Sequence, residues 1–187
     1  MNPALDSLLR RRSQGIRHLE APGPDDAQLA LMAEAALRAP DHGELVPFRF
    51  KVVRGDARER LAALYVQAAR DAGKNEESVA LDAERARKAP VTVALVARVD
   101  LGHPVVPAHE QWVAIGAALA NFMNAAHAMG FAGKMLSGAK VRHPAVQAAF
   151  CGPGETLVGW LALGTASRPP KQRAPKGAAA AVLADWD

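Results

Sequence analysis

The sequence predicts an α+β fold in which helices cover both faces of a central sheet. Four apolar or alternating runs are typical of strands, and about six capped or amphipathic segments are typical of helices. Because these segments do not alternate strictly along the chain, they favour the α+β class. A length of 187 residues, of which 50% are hydrophobic, indicates one compact domain.

The first half of the chain is predicted to hold three helices and one strand. Asn2 and Pro3 supply a helix N-cap and a first helical position, and Leu5, Leu8 and Leu9 share one face of that helix. The remaining elements are a helix that opens at 24–26 and ends before Pro40, a loop over 39–47, a strand over 48–53 and a helix over 56–72.

The second half is predicted to hold three strands and three helices. The charged helix at 76–88 is interpreted as a solvated surface helix or as a mobile flap beside a site. A buried strand over 91–97 follows, and two more strands at 130–136 and 156–165 flank a short helix at 144–150. The segment 166–187 is rich in Pro, Lys and Arg, and it is predicted to be an extended tail beyond a single domain of residues 1–165.

One helix of the second half is unusual because residues 112–133 contain no charged side chain. The run is long enough to cross a bilayer, but Asn121, Asn124 and His127 interrupt it and small residues dominate. It is therefore interpreted as a buried central helix. Its small residues allow close approach by a neighbouring element or a second subunit; they are Gly116, Ala117, Ala118 and Ala120.

Composition narrows the classes of ligand and compartment. A net charge of +4 favours anionic ligands but lacks the clustered basic stripe of a dedicated DNA-binding protein. The single cysteine, Cys151, permits no intrachain disulfide, and no signal peptide is apparent at the N-terminus, so a cytoplasmic protein is expected.

The stretch from Arg10 to Ser13 supports two interpretations. Three arginines at the end of a helix are favoured by the helix dipole, and this explanation needs no ligand. Alternatively, Arg11, Arg12 and Ser13 form a set of donors for a phosphate group, because guanidinium and hydroxyl groups match phosphate oxygens. Local sequence alone leaves both interpretations open.

Conventional catalytic motifs are absent from the chain. It contains no G-x-S-x-G, no P-loop and no H-E-x-x-H sequence, and its six scattered histidines form no convincing set of metal ligands. No catalytic side chain and no metal site are predicted. The protein is expected either to use a cofactor for its chemistry or to have no chemistry of its own.

Several stretches together resemble the flavin-dependent nitroreductase family, and in particular its short single-domain members. They occur in the family's order and approximate spacing between residues 11 and 165. They are RRS at 11–13, RAPDH at 38–42, the pair Pro47-Phe48, GFAGKMLSGA at 130–139 and GWLALGT at 159–165.

The resemblance implies a three-layer α-β-α sandwich with a central mixed sheet and a long central helix at a homodimer interface. Two FMN sites would lie at that interface, each built by both chains. The implied FMN-binding residues are Arg11, Arg12 and Ser13 for the phosphate, Arg38 and His42 from the loop of the other subunit, Pro47 at the end of that loop, Met135, Leu136 and Ser137 along the flavin ring, and Lys171 and Arg173 in the tail. The implied nicotinamide-nucleotide residues are Ala125, Ala126, His127, Ala128, Met129 and Gly130.

The resemblance also implies ping-pong hydride transfer from NAD(P)H through FMN to a planar acceptor such as a nitroaromatic or a quinone. The sequence departs from the family pattern at Val46, where an amide is usual, at Phe48, where a tryptophan is common, and at Met135-Leu136, where close relatives have an aromatic residue and an arginine. These departures keep a second hypothesis open, a non-catalytic FMN- or nucleotide-binding protein. The arginine run and basic tail keep a third, a small nucleic-acid-binding protein.

Overall fold

The structure is a computed structural model that describes residues 2–171 and 177–186. The helices are α1 Pro3–Arg10, α2 Asp26–Ala36, α3 Ala57–Asp71, α4 Glu76–Lys88, α5 Ala108–Ala128 and α6 Pro144–Phe150. The strands are β1 Leu19–Glu20, β2 Phe48–Val53, β3 Val91–Ala97, β4 Ala132–Leu136 and β5 Thr156–Ala166. Short 3₁₀ turns lie at Ile16–His18, His42–Glu44, Ala139–Arg142 and Ala179–Ala181.

The long strand β5 organises the sheet. It pairs with β3 along one edge and with β1 and β4 on its other edge, and β2 lies outside β3. All of these strand pairs are antiparallel. The predicted mixed sheet is therefore incorrect in its pairing: within the described residues, the parallel component is a single bridge between Ser13 and Gly133.

Two apolar layers confirm the α+β class and the three-layer arrangement. On one face of the sheet, α2 and α5 pack against alternate β3 residues such as Val93 and Leu95. On the other face, α3, α4 and α6 pack against the intervening residues such as Val96, together with Trp160 of β5. Successive residues of β3 point to opposite faces of the sheet, and helices cover both faces. All seven residues of the strand are therefore buried, which explains its predominantly apolar sequence.

Local sequence accounts for most of the helix boundaries. The Asn2 side chain accepts the Ala4 N–H, and Asp25 forms a capping box with Gln28 at the start of α2. The backbone φ of Gly130 is +86°, which is not a strand conformation. For this reason β4 begins at Ala132 and not at the predicted residue 130. The two-residue strand β1 was not predicted, because it is too short to show a periodic pattern.

Two helices differ from their predicted surroundings. α4 is neither a free flap nor a fully solvated helix, since Val79, Asp82, Ala83 and Ala86 are buried against α3 and the sheet. α5 is apolar as predicted, but it is not covered on all sides in one chain: Trp112 and Val113 are 44% and 66% exposed. None of the described helices combines the length and apolarity that crossing a bilayer requires.

Candidate functional site

The Arg11–Ser13 segment is fixed at the edge of the sheet. Ser13 forms the parallel bridge with Gly133, and the Gln14 backbone N–H donates to the Gly133 carbonyl at 3.0 Å. The buried Gln14 side chain donates through Nε2 to the carbonyl of Arg168, just beyond β5, at 2.8 Å. Gln14 thus joins the arginine segment to the start of the tail. Sequence analysis missed it, because a single glutamine after RRS carries no pattern.

The two arginines of this segment have different environments. Arg12 Nη1 donates to the carbonyls of Leu9 at 2.6 Å and Arg11 at 3.1 Å, so it caps the C-terminal end of α1. The Arg11 side chain is half-buried, and no described carboxylate lies within ion-pair distance of it. The helix-end interpretation therefore applies to Arg12, and the free donors are those of Arg11 and Ser13.

The C-terminal end of α5 lies beside Arg11. Partial burial, followed by the positive charge of Arg11, lowers the pKa of His127. Ala126 is a core residue, and the Phe131 N–H closes the helix end on its carbonyl at 2.9 Å, with Gly130 in the left-handed conformation. These packing and capping roles account for part of the segment 125–130, and its role in nucleotide binding stays a prediction.

The loop that carries Arg38, His42 and Pro47 lies at the opposite end of α5. The His42 ring Nδ1 is 2.6 Å from Glu110 Oε2 in the first turn of α5. Arg38 is exposed just beyond α2, and Pro47 is buried where the loop enters β2. Within one chain, these residues are far from Arg11, since the 17 residues from 110 to 127 span about 25 Å of helix.

The backbone of this loop is strained. Gly43, Glu44 and Val46 have φ values of +74°, +52° and +46°, and Val46 is a β-branched residue for which this region is strongly disfavoured. The Val46 N–H donates to Asp41 Oδ2 at 2.7 Å, while Arg98 Nη2 donates to its carbonyl at 2.9 Å. Hydrogen bonds to the backbone N–H and to the carbonyl of Val46 therefore hold this residue in the strained conformation.

The end of β4 presents its side chains to different layers. Met135 packs with the α5 side of the core, whereas Leu136 packs with the α3 and α4 side. Ser137 is exposed beyond the strand. Any contact of Leu136 with a ligand on the α5 side would therefore have to come from its backbone.

A cavity of about 180 Å³ lies between α4, the floor of the sheet and the segment 136–141. Ile16, three residues after Ser13, is part of its wall, so the arginine segment leads directly to it. The polar and aromatic lining residues include Tyr65, Asp82, Arg85, Lys140 and Trp160. Burial raises the pKa of Tyr65, and a nearby buried carboxylate, Asp82, adds to this effect.

The cavity lining combines an excess of cations with unused donors. Asp82 Oδ2 accepts from Lys74 Nζ at 2.8 Å and from Lys140 Nζ at 2.9 Å, and Arg85 Nη1 is 3.5 Å from Asp82 Oδ1. The buried Trp160 Nε1–H has no hydrogen-bond partner among the described residues, although it lies near Tyr65. Sequence analysis missed this group, because Asp82 and Arg85 occur in a helix whose charges look solvent-exposed.

The tail begins beside the arginine segment. Partial burial and then the cations Arg168, Arg17 and Lys171 lower the pKa of His18, while Gln14 holds the carbonyl of Arg168. The predicted phosphate ligand Arg173 lies outside the described residues. Across residues 2–171 and 177–186, no group of three or more His, Cys, Asp or Glu side chains could hold a metal ion.

Comparison with known proteins shows the family to which the chain belongs. Residues 8–165 match the model of the nitroreductase family. An Escherichia coli K12 protein provisionally named NAD(P)H nitroreductase YdjA is 37% identical over 163 residues, which are 87% of each chain. A Haemophilus influenzae protein provisionally named NAD(P)H nitroreductase is 34% identical over 163 residues, which are 87% of this chain and 88% of that protein.

Solved structures show the same fold. A nitroreductase-like protein from Bacillus cereus superposes with a TM-score of 0.79 at 20% identity, over 95% of this chain and 92% of the other. A nitroreductase from Desulfovibrio desulfuricans, solved in complex with FMN, superposes with a TM-score of 0.72 at 23% identity, over 100% and 98% of the two chains. With this fold and these relatives, the chain belongs to the nitroreductase family.

Proposed function

We propose that the protein is an FMN-dependent NAD(P)H oxidoreductase that acts as a homodimer on planar acceptors such as nitroaromatics and quinones. The observation that carries the proposal is the pairing of two features. Arg11 and Ser13, whose side chains have no partner among the described residues, lie at the sheet edge, and the cavity that Ile16 lines contains more cations than carboxylates. The names of the relatives with 34% and 37% identity, both NAD(P)H nitroreductases, support the same reaction class.

The residues present fit FMN. Arg11 and Ser13 supply charged and neutral donors for a phosphate at the edge of the sheet. The cavity, whose wall includes Ile16, offers apolar lining residues, Arg85 and Lys140 for the polar edge of a flavin ring, and the Trp160 Nε1–H, which has no partner among the described residues. Leu136 at the end of β4 lines the same cavity, whereas Met135 packs on the α5 side of the sheet.

The loop residues Arg38 and His42 are proposed to come from the partner subunit. His42 contacts Glu110 and Arg11 lies beside His127, so about 25 Å of α5 separates the loop from the arginine segment within one chain. A two-fold axis near the middle of α5 would make the two α5 helices antiparallel. Each position would then lie opposite the partner position at the same distance on the other side of the axis, so the partner's residue 110 would lie opposite residue 127. The exposed Trp112 and Val113 support that face as the interface.

Bound FMN supplies the hydride chemistry, which connects oxidation of NAD(P)H with reduction of the acceptor in two successive half-reactions. The chain's own residues bind the phosphate, orient the ring and exclude water from its buried edge. Cations at the cavity would favour a ring that becomes negatively charged on reduction. We place this activity in the cytoplasm, a location supported by the single free cysteine, Cys151.

The test is an absorption titration of the dialysed protein with FMN, followed by NADH or NADPH under argon and then by menadione or a nitroaromatic. We expect the flavin bands to shift on binding, to bleach with the nucleotide and to return with the acceptor. Binding without bleaching would instead support the non-catalytic FMN-binding protein that Val46 and Leu136 suggest. No binding of FMN at high concentration would refute the proposed function, and salt-dependent binding of a DNA duplex would then support the nucleic-acid hypothesis.

A further inference from the structure

The most unusual charged group outside the arginine segment is the buried carboxylate of Asp82. Its side chain is 2% exposed, yet three cations surround it: Lys74 after α3, Arg85 on α4 and Lys140 in the turn Ala139–Arg142. One carboxylate cannot neutralise three cations. The group therefore retains a net positive charge where two of its members line the cavity.

Asp82 connects α4 both to Lys74 in the segment after α3 and to Lys140 in the turn Ala139–Arg142. Its hydrogen bond to Lys140 joins α4 to the turn that forms the opposite wall of the cavity. Lys140 Nζ also lies 5.2 Å from the centre of the Tyr65 ring, so the ammonium group is held from two sides. Removal of the Asp82 charge would leave the Lys140 ammonium group, whose side chain is 22% exposed, without its carboxylate partner, and the two walls would lose the ion pair that joins them.

We propose that Asp82 is a positioning residue of the cavity, which holds Arg85 and Lys140 across its mouth so that both cations face the bound ring. This inference rests on the proposed function for the identity of the ring, whereas the positioning of the wall does not depend on it. Asp82 itself has its carboxylate oxygens engaged by its own chain. It therefore acts through the two cations.

The first experiment needs no flavin. Amide hydrogen exchange of Val141 and His143, whose N–H groups donate within the turn to Gly138 and Lys140 at 3.0 and 3.1 Å, reports the order of the wall. Asp82→Asn should raise their exchange rates about tenfold. The matched control is Glu59→Gln, which removes an exposed carboxylate that pairs with Arg87 between the same two helices and should leave these amides unchanged. Unchanged exchange in Asp82→Asn would overturn the proposal.

The second experiment measures FMN affinity in the same variants. The change in net charge alone predicts that Asp82→Asn binds the anionic cofactor more tightly, because a negative charge is lost. Positioning predicts the opposite, a loss of about tenfold, since the cations no longer hold their places. The effect of Asp82→Asn should also shrink in a Lys140→Met background, because both changes then remove one interaction.

The outcomes separate the two proposals. Equal or tighter FMN binding in Asp82→Asn, or a full tenfold effect that persists in Lys140→Met, would overturn the role of Asp82 in ligand binding. If the unmodified protein binds no FMN while Asp82→Asn still increases exchange at Val141 and His143, then the proposed function fails and the positioning of the wall stands.

Discussion

At the scale of single residues, the arginine run separates into two different roles. Arg12 satisfies carbonyl groups at the end of α1, whereas Arg11 lies beside His127 with its charge free among the described residues. The sequence could not distinguish them, because both follow the same helix and only the direction of each side chain differs. Substitution of Arg11 by alanine therefore tests the phosphate hypothesis, and substitution of Arg12 by alanine is its control.

Arg11→Ala should weaken FMN binding about ten- to hundredfold, the cost of one lost charge-assisted hydrogen bond, while the melting temperature changes little. Arg12→Ala should lower the free energy of unfolding by about 0.5 to 1 kcal/mol through loss of the cap and should change FMN affinity much less. Fluorescence titration and thermal melts measure both. Equal affinity in Arg11→Ala and the unmodified protein would return both arginines to the helix-end interpretation.

Other residues of the site show what a single sequence can reveal. The RRS and RAPDH stretches could be found because residue types at fixed spacing carry the family resemblance. Gln14, Asp82 and Trp160 could not, since their importance depends on burial and on partners distant in the chain, at Arg168, Lys140 and Tyr65. The site role of each predicted residue stays a prediction that the titrations above examine.

At the scale of elements, the strands and helices that show clear periodicity were predictable, and pairing was not. The apolar run of β3 and the capping residues Asn2 and Asp25 are local signals. Strand direction in the sheet and the short strand β1 depend on register between residues more than a hundred positions apart, such as Leu19 and Ala166. The incorrect expectation of a mixed sheet has this origin.

The loop of residues 39–47 is the element in which sequence and conformation disagree most. Val46 occupies a left-handed conformation that asparagine tolerates and a β-branched residue does not, and it stands where family members usually carry an amide. Hydrogen bonds from its N–H to Asp41 and from Arg98 to its carbonyl fix the conformation regardless of the side chain. The position therefore suits an amide better than a valine.

Val46→Asn should raise the free energy of unfolding by about 0.5 to 1 kcal/mol, because relief of the backbone strain exceeds the loss of a half-buried apolar contact. For a chain of this size, the melting temperature should rise by about 2 °C. FMN affinity should rise as well if the amide reaches the flavin. Val46→Ala is the control, since it supplies no amide and should leave FMN affinity unchanged; a destabilised Val46→Asn protein would contradict the strain argument.

At the scale of the whole molecule, one chain keeps the two proposed parts of the FMN site apart and leaves apolar side chains uncovered on α5 and α1. Arg11 lies near one end of α5, and His42 contacts Glu110 at the other. Trp112 and Val113 on α5 are exposed, and so are the leucines on the apolar face of α1, Leu5, Leu8 and Leu9. Such a surface indicates an interface, and an antiparallel pairing of two α5 helices would unite the two parts.

Val113→Asp tests this assembly because the side chain is 66% exposed and contributes little to the core of one chain. A two-fold interface would bury the new carboxylate twice, each time without a partner, which costs several kcal/mol. We expect the variant to sediment as a folded monomer and to lose FMN affinity at least tenfold, since the partner's Arg38 and His42 would leave the site.

The matched control for this change is Leu81→Asp on α4, a similarly apolar side chain that is 43% exposed and lies on the other face of the sheet. It should remain dimeric and bind FMN normally. Circular dichroism of both variants establishes that each is folded. A Val113→Asp protein that stays dimeric would place the interface elsewhere, and a folded monomer with undiminished FMN affinity would show that one chain builds the whole cofactor site. In that second outcome Arg38 and His42 would have no role in binding FMN. The partner's copies would not be needed, and about 25 Å of α5 separates the chain's own loop from Arg11.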